Sequence, residues 1–218
     1  MKQNNRIAGK PALATLAIIV WTGLLLQFYL SLNLALLNGK SVVAGLVVFF
    51  GYFTVLSNLF VALVSTLPLV ASSSRLGQWF AKPGVLGCAT TSILLVGLGY
   101  HLLLRNVWAP QGLQLLADVV LHYVVPFATL AYWLAYPPRP KLGAWVPFAW
   151  CLYPVGYLVY ALLRGEVLGS YPYPFIDVTT FGYGRVALNA LGLLVAFLLG
   201  GAVVVAIARV RNRFRLAV

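Results

Sequence analysis

The sequence predicts an all-α polytopic membrane protein, a single domain of six transmembrane helices with both termini on the cytoplasmic side. Three observations predict it: charge is scarce, the uncharged stretches are long, and the basic residues fall mostly on one side. The 218 residues include only 15 Lys or Arg and 3 Asp or Glu, and the mean hydropathy is +0.94. A soluble domain carries about 25% charged residues to solvate its surface, whereas this chain carries 8%. A soluble globular enzyme is excluded on that ground. Disorder is excluded for the opposite reason, because 62% of the residues are hydrophobic and can bury ample apolar surface.

The charges mark the elements in order. Lys10 to Lys40 encloses 29 uncharged residues, Lys40 to Arg75 encloses 34, and Lys82 to Arg105 encloses 22. Asp118 to Arg139 encloses 20, Lys141 to Arg164 encloses 22, and Arg185 to Arg209 encloses 23. A helix needs about 20 residues to cross the hydrocarbon core, so the spans are read as 11–37, 42–71, 83–104, 115–136, 143–163 and 184–208. None of these runs shows the alternation of a porin strand. The first is too long for a cleaved signal and is read as a mature helix.

An even number of spans puts both termini on one side. That side gathers Lys2, Arg6, Lys10, Arg75, Lys82, Arg139, Lys141, Arg209, Arg211, Arg213 and Arg215, against Lys40, Arg105, Arg164 and Arg185 on the other. The positive-inside rule makes the richer side cytoplasmic. The formal charge of +12 is thereby a topology signal, with no nucleic acid implied. The basic tail from Arg209 to Arg215 is expected to meet anionic lipid headgroups. The outer loop around 164–182 contains Tyr171-Pro-Tyr-Pro-Phe175, whose prolines favour extended turns. Trp108, Trp145, Tyr171 and Tyr173 are expected in the interfacial aromatic belt. Cys88 and Cys151 read as small buried hydrophobes.

Ionisable groups inside a bilayer are costly and are functional candidates by default. Asp118 lies one turn before His122, and His101 one turn before Arg105; Asp177 and Arg185 flank the sixth span. All six are expected in the outer half, around one pocket opening outward. Spacing of four puts Asp118 and His122 on one helical face, where the carboxylate fits the imidazole as a general base. The alternative is a histidine that merely bonds a neighbouring helix. In the second span Gly51, Thr54 and Asn58 share a face, with Ser57 beside them. Such a stripe serves close helix packing, or Thr54 is a nucleophile activated by a nearby base, with Asn58 donating to the oxyanion. Arg185 either binds a substrate carboxylate or sets helix depth, and His101 either lines the pocket or sits at the interface. Tyr52, at the head of the Thr54 segment, is a further candidate for substrate contact.

Phe53-Thr54-x-x-Ser57-Asn58, Leu121-His122-Tyr-Val-Val-Pro126 and Tyr171-Pro-Tyr-Pro-Phe175 together resemble the androgen-induced family of six-helix membrane proteins, in its short bacterial branch. Animal members hydrolyse fatty acid esters of hydroxy fatty acids with a threonine nucleophile and a histidine. The resemblance covers most of the chain and implies Thr54 as nucleophile and His122 as general base. It also implies a lipid ester substrate taken from the bilayer and a bacterial cytoplasmic membrane. Animal members carry a second histidine one turn before the catalytic one, where this chain has Asp118.

The expected activity is therefore intramembrane hydrolysis of lipid esters, with Asp118, Asn58 and Ser57 in support and no metal or organic cofactor. Two other classes use the same residues: a lipid or solute transporter with the same pocket, and a haem protein ligated by His101 and His122. The sequence specifies no oligomeric state. Counted from the span ends, Thr54 and His122 differ in depth by roughly 8 Å at 1.5 Å per residue.

Overall fold

The computed structural model describes residues 9–138 and 142–216, the last five as helical backbone only. Among them there is no strand, and six helices are long and apolar enough to cross a membrane. Helix α1 is Lys10–Leu37, opened by Pro11 in its first turn. A short α2, Val42–Phe49, is capped by Ser41, whose hydroxyl accepts from Ala44 N at 3.2 Å. Then come α3, Phe53–Val70, the short α4, Arg75–Phe80, and α5, Pro83–Gly99, which runs on as a π-helix over Tyr100–Leu104. Helices α6, Gly112–Val119, and α7, Val125–Ala135, are joined by a second π-helix, Val120–Val124, into one span. A short α8, Val146–Trp150, leads into α9, Leu152–Leu168, and α10 is Val178–Leu216, bent at Gly182.

The second span departs from its expected 42–71 boundaries, because residues 50–52 interrupt it. Tyr52 is extended (φ −92°, ψ 133°), and α3 begins only at Phe53. A broken helix leaves carbonyls and N–H groups that a bilayer cannot satisfy, and here α9 supplies the donors. Tyr157 OH donates to Gly51 O at 3.0 Å, Tyr160 OH to Phe50 O at 3.2 Å, and Arg164 Nη2 to Val47 O at 3.4 Å. The third span keeps its expected 83–104, and other ends shift by up to about six residues. The fifth span extends to Leu168, so Glu166 lies in the last turn of α9 with Arg164 just before it, and Gly169 ends it in the left-handed conformation (φ 65°).

The core runs down the middle of the bundle, with Leu16, Val20, Val61, Ile93, Leu121 and Val125 buried together. A second cluster of Trp133, Trp150, Phe197 and Val204 forms against α10, where Trp133 Nε1 donates to Val204 O at 3.1 Å. Large apolar side chains such as Ile18, Leu25, Leu163 and Leu199 face outward, as lipid-facing positions require. Thr90, Thr91 and Ser92 are buried on α5 and return their hydroxyls to carbonyls one turn back, which satisfies them without a partner helix. The loops after α1, after the first π-helix and after α9 gather at one end, the site end. Lys2, Arg6, Arg139 and Lys141 lie outside the described residues, as do the side chains of Arg213 and Arg215. Arg209 is held by the protein itself, Nε and Nη2 donating to Leu142 O at 3.0 and 2.8 Å.

The two π-helices lie side by side, and Gly97 is the reason they approach. A Cβ at Gly97 would stand 3.0 Å from the His122 carbonyl oxygen and 3.2 Å from Pro126 Cβ. Gly97→Val is expected to destabilise the protein by about 1–3 kcal/mol through overpacking. Gly84, with nothing within 4 Å of its Cβ position, serves as the control. Its replacement by Ala is expected to add about 0.5–1 kcal/mol of helix stability, and thermal unfolding in detergent measures both.

Candidate active site

The interruption of the second span gives Thr54 its setting. As the second residue of α3 it sits in the first turn, where backbone N–H groups have no partner within the helix and the helix dipole favours negative charge. Its N–H donates to Tyr173 OH at 3.1 Å. Its Oγ1 is 3.3 Å from His122 Nε2 and 3.3 Å from Tyr173 OH. The depth difference expected from whole-span counting vanishes, because the helix that carries Thr54 starts at residue 53 instead of 42.

His122 is held in one orientation. Its Nδ1 lies 3.0 Å from the Asp118 carbonyl oxygen and 3.2 Å from Asp118 Oδ1. Both are acceptors, so Nδ1 carries the ring proton and Nε2 presents its lone pair to Thr54. Thr54 Oγ1 then donates to Nε2, the direction that a general base requires. The Asp118 carboxyl is buried and accepts at Oδ2 from Tyr100 OH at 2.5 Å. The Tyr100 ring also stacks on the imidazole, with centroids 3.9 Å apart and planes at 21°. Tyr100 and His122 occupy the two π-helices, a wide-turn form that is rare and often marks functional sites.

Asn58 corrects the expectation of an oxyanion donor. Its Nδ2 donates to Thr54 O at 2.8 Å and to Leu121 O at 3.3 Å, so its N–H groups tie α3 to the second π-helix, away from the Thr54 hydroxyl. Ser57 is fully buried beside Tyr153 and lines neither cavity described below.

Tyr173 and Tyr100 are the residues that sequence reasoning missed. Tyr173 was expected in the aromatic belt, but it is only 8% exposed and points at Thr54. Its ring stacks on Phe175 (5.2 Å, 6°) and meets the edge of Tyr52 (5.6 Å, 76°). The loop that carries it is tied down at several points. Tyr171 OH and Tyr183 OH both donate to Glu166, and Asn189 Nδ2 donates to Phe175 O at 2.9 Å. Gly165 makes room for the Tyr171 ring, which would otherwise lie 2.0 Å from a Cβ. For Tyr100 the signal was present: a carboxyl carried into an apolar bundle needs a donor, and Tyr100 precedes the noted His101.

Two cavities meet at this point. One, of about 350 Å³, is almost wholly apolar and lies among Phe53, Val96, Leu103, Leu158, Phe175 and Leu194. The other, of about 480 Å³, runs from Asp118 and His122 to Gln27, Asn38, Lys40 and Gln114 at the site end. Thr54, Tyr100, Leu104 and Tyr173 line both. Tyr52 lines the second.

The other ionisable groups do not converge here, contrary to the expectation of one shared pocket. His101 is exposed, its ring nitrogens 3.3 Å from Tyr123 OH and 3.2 Å from Arg105 Nη1. His122 turns to Thr54 and Asp118 instead, so the two rings do not share a haem between them. Asp177 caps α10, accepting at Oδ1 from Thr179 N at 2.9 Å and Thr180 N at 3.2 Å. Hydrogen bonds from Thr179, and then Thr180, hold its carboxyl below the usual value. That contribution is present above the ordinary carboxylate range and fades as pH falls through the lowered value. Arg185 is exposed on α10 and lines neither cavity. Among the described residues no group of three His, Cys, Asp or Glu could hold a metal ion. Comparison with protein-family models, curated proteins and solved structures finds no match to this chain.

If Asn58 is a clamp, Asn58→Leu removes its side-chain bonds to the Thr54 and Leu121 carbonyls and the tie between α3 and the second π-helix. It is expected to lower unfolding stability by about 1–3 kcal/mol, read as an earlier thermal transition in detergent.

Proposed function

We propose that the protein is an intramembrane hydrolase of lipid esters in which Thr54 is the nucleophile and His122 the general base. The observation that carries this reading is the chain of contacts from Asp118 through His122 to Thr54, 3.2 and then 3.3 Å. It is a nucleophile, a base and a group that orients the base, in hydrogen-bond series. The resemblance to the androgen-induced family, whose threonine and histidine correspond to Thr54 and His122, supports the same roles. The acyl chain of the substrate would lie in the apolar cavity and the alcohol side in the amphipathic one, with the ester at Thr54 between them. The basic end of α10 would rest against anionic headgroups through Arg211.

Thr54 Oγ attacks the ester carbonyl while its proton passes to His122 Nε2, and Asp118 stabilises the imidazolium by its contact with Nδ1. The tetrahedral centre collapses, the C–O bond to the alcohol breaks, and the leaving oxygen takes the proton from His122. A water molecule then gives its proton to His122 and attacks the acyl-threonine, releasing the acid and restoring Thr54. One ester and one water yield one acid and one alcohol.

A second reading, transport of a lipid or solute through the same chambers, is favoured by the broken second span, since discontinuous helices build transporter sites. The two readings separate on Thr54. A fluorophosphonate is expected to label the purified protein at Thr54, labelling to vanish in Thr54→Ala, and ester turnover to fall by about 10²–10⁴ in His122→Ala. Undiminished labelling in Thr54→Ala, or uptake by proteoliposomes that survives that substitution, contradicts the hydrolase reading.

A further inference from the structure

Tyr173 reaches the site from the loop between α9 and α10, and its contacts suit a role that the Thr54–His122 pair does not fill. Resting on the hydrolase reading above, we propose that Tyr173 is a further catalytic residue. Its phenol O–H donates to the oxyanion that forms when Thr54 attacks the ester.

The directions of the hydrogen bonds come first. Thr54 N–H donates to the phenol oxygen at 3.1 Å, so the single phenol proton turns elsewhere. The Thr54 hydroxyl oxygen lies 3.3 Å away, and its own proton is directed to His122 Nε2. The phenol proton is thus aimed at the oxygen where the charge of attack originates. Position follows from covalent geometry. The carbonyl oxygen of an ester bonded to Thr54 Oγ1 is separated from Oγ1 by one bond angle. An ester placed with that oxygen on the phenol side brings it within the donor range of about 2.7–3.1 Å, since the phenol is only 3.3 Å from Oγ1.

The phenol is also held rigid, and a donor lowers the barrier most when it needs no reorientation. Tyr173 is buried, stacked on Phe175 and backed by Tyr52. Burial also pushes its phenol up to about 12, which keeps it a neutral donor at any ordinary pH. Asn58 leaves the position open, its N–H groups being turned to the Thr54 and Leu121 carbonyls.

In the step itself the Thr54 Oγ–C bond forms, the carbonyl π pair moves onto oxygen, and the Thr54 proton passes to His122. Tyr173 keeps its proton and shares it with the oxyanion. On collapse the pair returns, the C–O bond to the alcohol breaks and the His122 proton leaves with the alcohol. Tyr173 ends unchanged.

Tyr173→Phe keeps the ring stack but removes the donor, and with it the acceptor of the Thr54 N–H. With a 4-nitrophenyl acyl ester and the full chain in detergent, kcat is expected to fall by about 10²–10³, with KM close to that of the parent and the melting temperature lowered by the unpaired Thr54 N–H. A trifluorotyrosine at position 173, which ionises at lower pH, is expected to bring the alkaline limb of kcat down with it. This is a shift that a merely structural tyrosine does not cause. A parent protein that hydrolyses the ester and is labelled at Thr54, with Tyr173→Phe equally active and the alkaline limb unmoved, overturns the role of Tyr173 alone. A parent that neither turns over the ester nor accepts the label overturns the hydrolase reading itself.

Discussion

A buried carboxyl group and a partly buried imidazole among apolar helices impose one constraint on what surrounds them: their own polar atoms need partners inside the protein. The solution here is one continuous network. Tyr100 serves one oxygen of Asp118, and His122 takes the other together with the Asp118 carbonyl. The free face of His122 meets Thr54, and Thr54 meets Tyr173 through both its hydroxyl and its N–H. Asn58 ties the same two elements together from below. The third and fourth spans turn π-helical where this network passes between them, and Gly97 lets them close on each other.

The break in the second span is the other half of the arrangement. A continuous helix over 42–71 would bond the Thr54 N–H to the carbonyl one turn back. Starting the helix at Phe53 leaves that N–H to Tyr173, puts the positive end of the helix at the hydroxyl, and brings Thr54 level with His122. Three side chains of α9 satisfy the backbone that the break exposes, so the fifth span supports the site without contributing to its chemistry. The two cavities fit the same division. One is nearly all apolar and one is polar at its far end, and both are open to Thr54 between them.

Much of this was legible in the sequence, and the reasons for the remainder are physical. The six spans could be read because charges flank them, and Asp118 and His122 could be paired because helical spacing alone puts them on one face. The break at residues 50–52 could not be read. No charge occurs from Ser41 to Ser74, and a Phe-Gly-Tyr corner inside an apolar run has the composition of a helix. Its stability depends on tyrosines more than a hundred positions away. Tyr173 has the composition of an interfacial residue, and its burial follows from the stack on Phe175, the edge of Tyr52 and a loop that Tyr171 seats against Gly165. Asn58 was placed on the correct face of α3, but which acceptors it meets is decided by how close the second π-helix comes. Arg185, Asp177 and His101 could be placed by sequence only by their expected depth, and depth says nothing of the direction in which a helix turns its side chains.

The central claim is that Thr54 and His122 act as one unit, and a double-mutant cycle on ester turnover tests it most directly. Groups that act together in one step are strongly non-additive. The account predicts that Thr54→Ala, His122→Ala and the double variant all fall to the same residual kcat/KM. Losses that multiply in the double variant, as they do for independent sites, would contradict it.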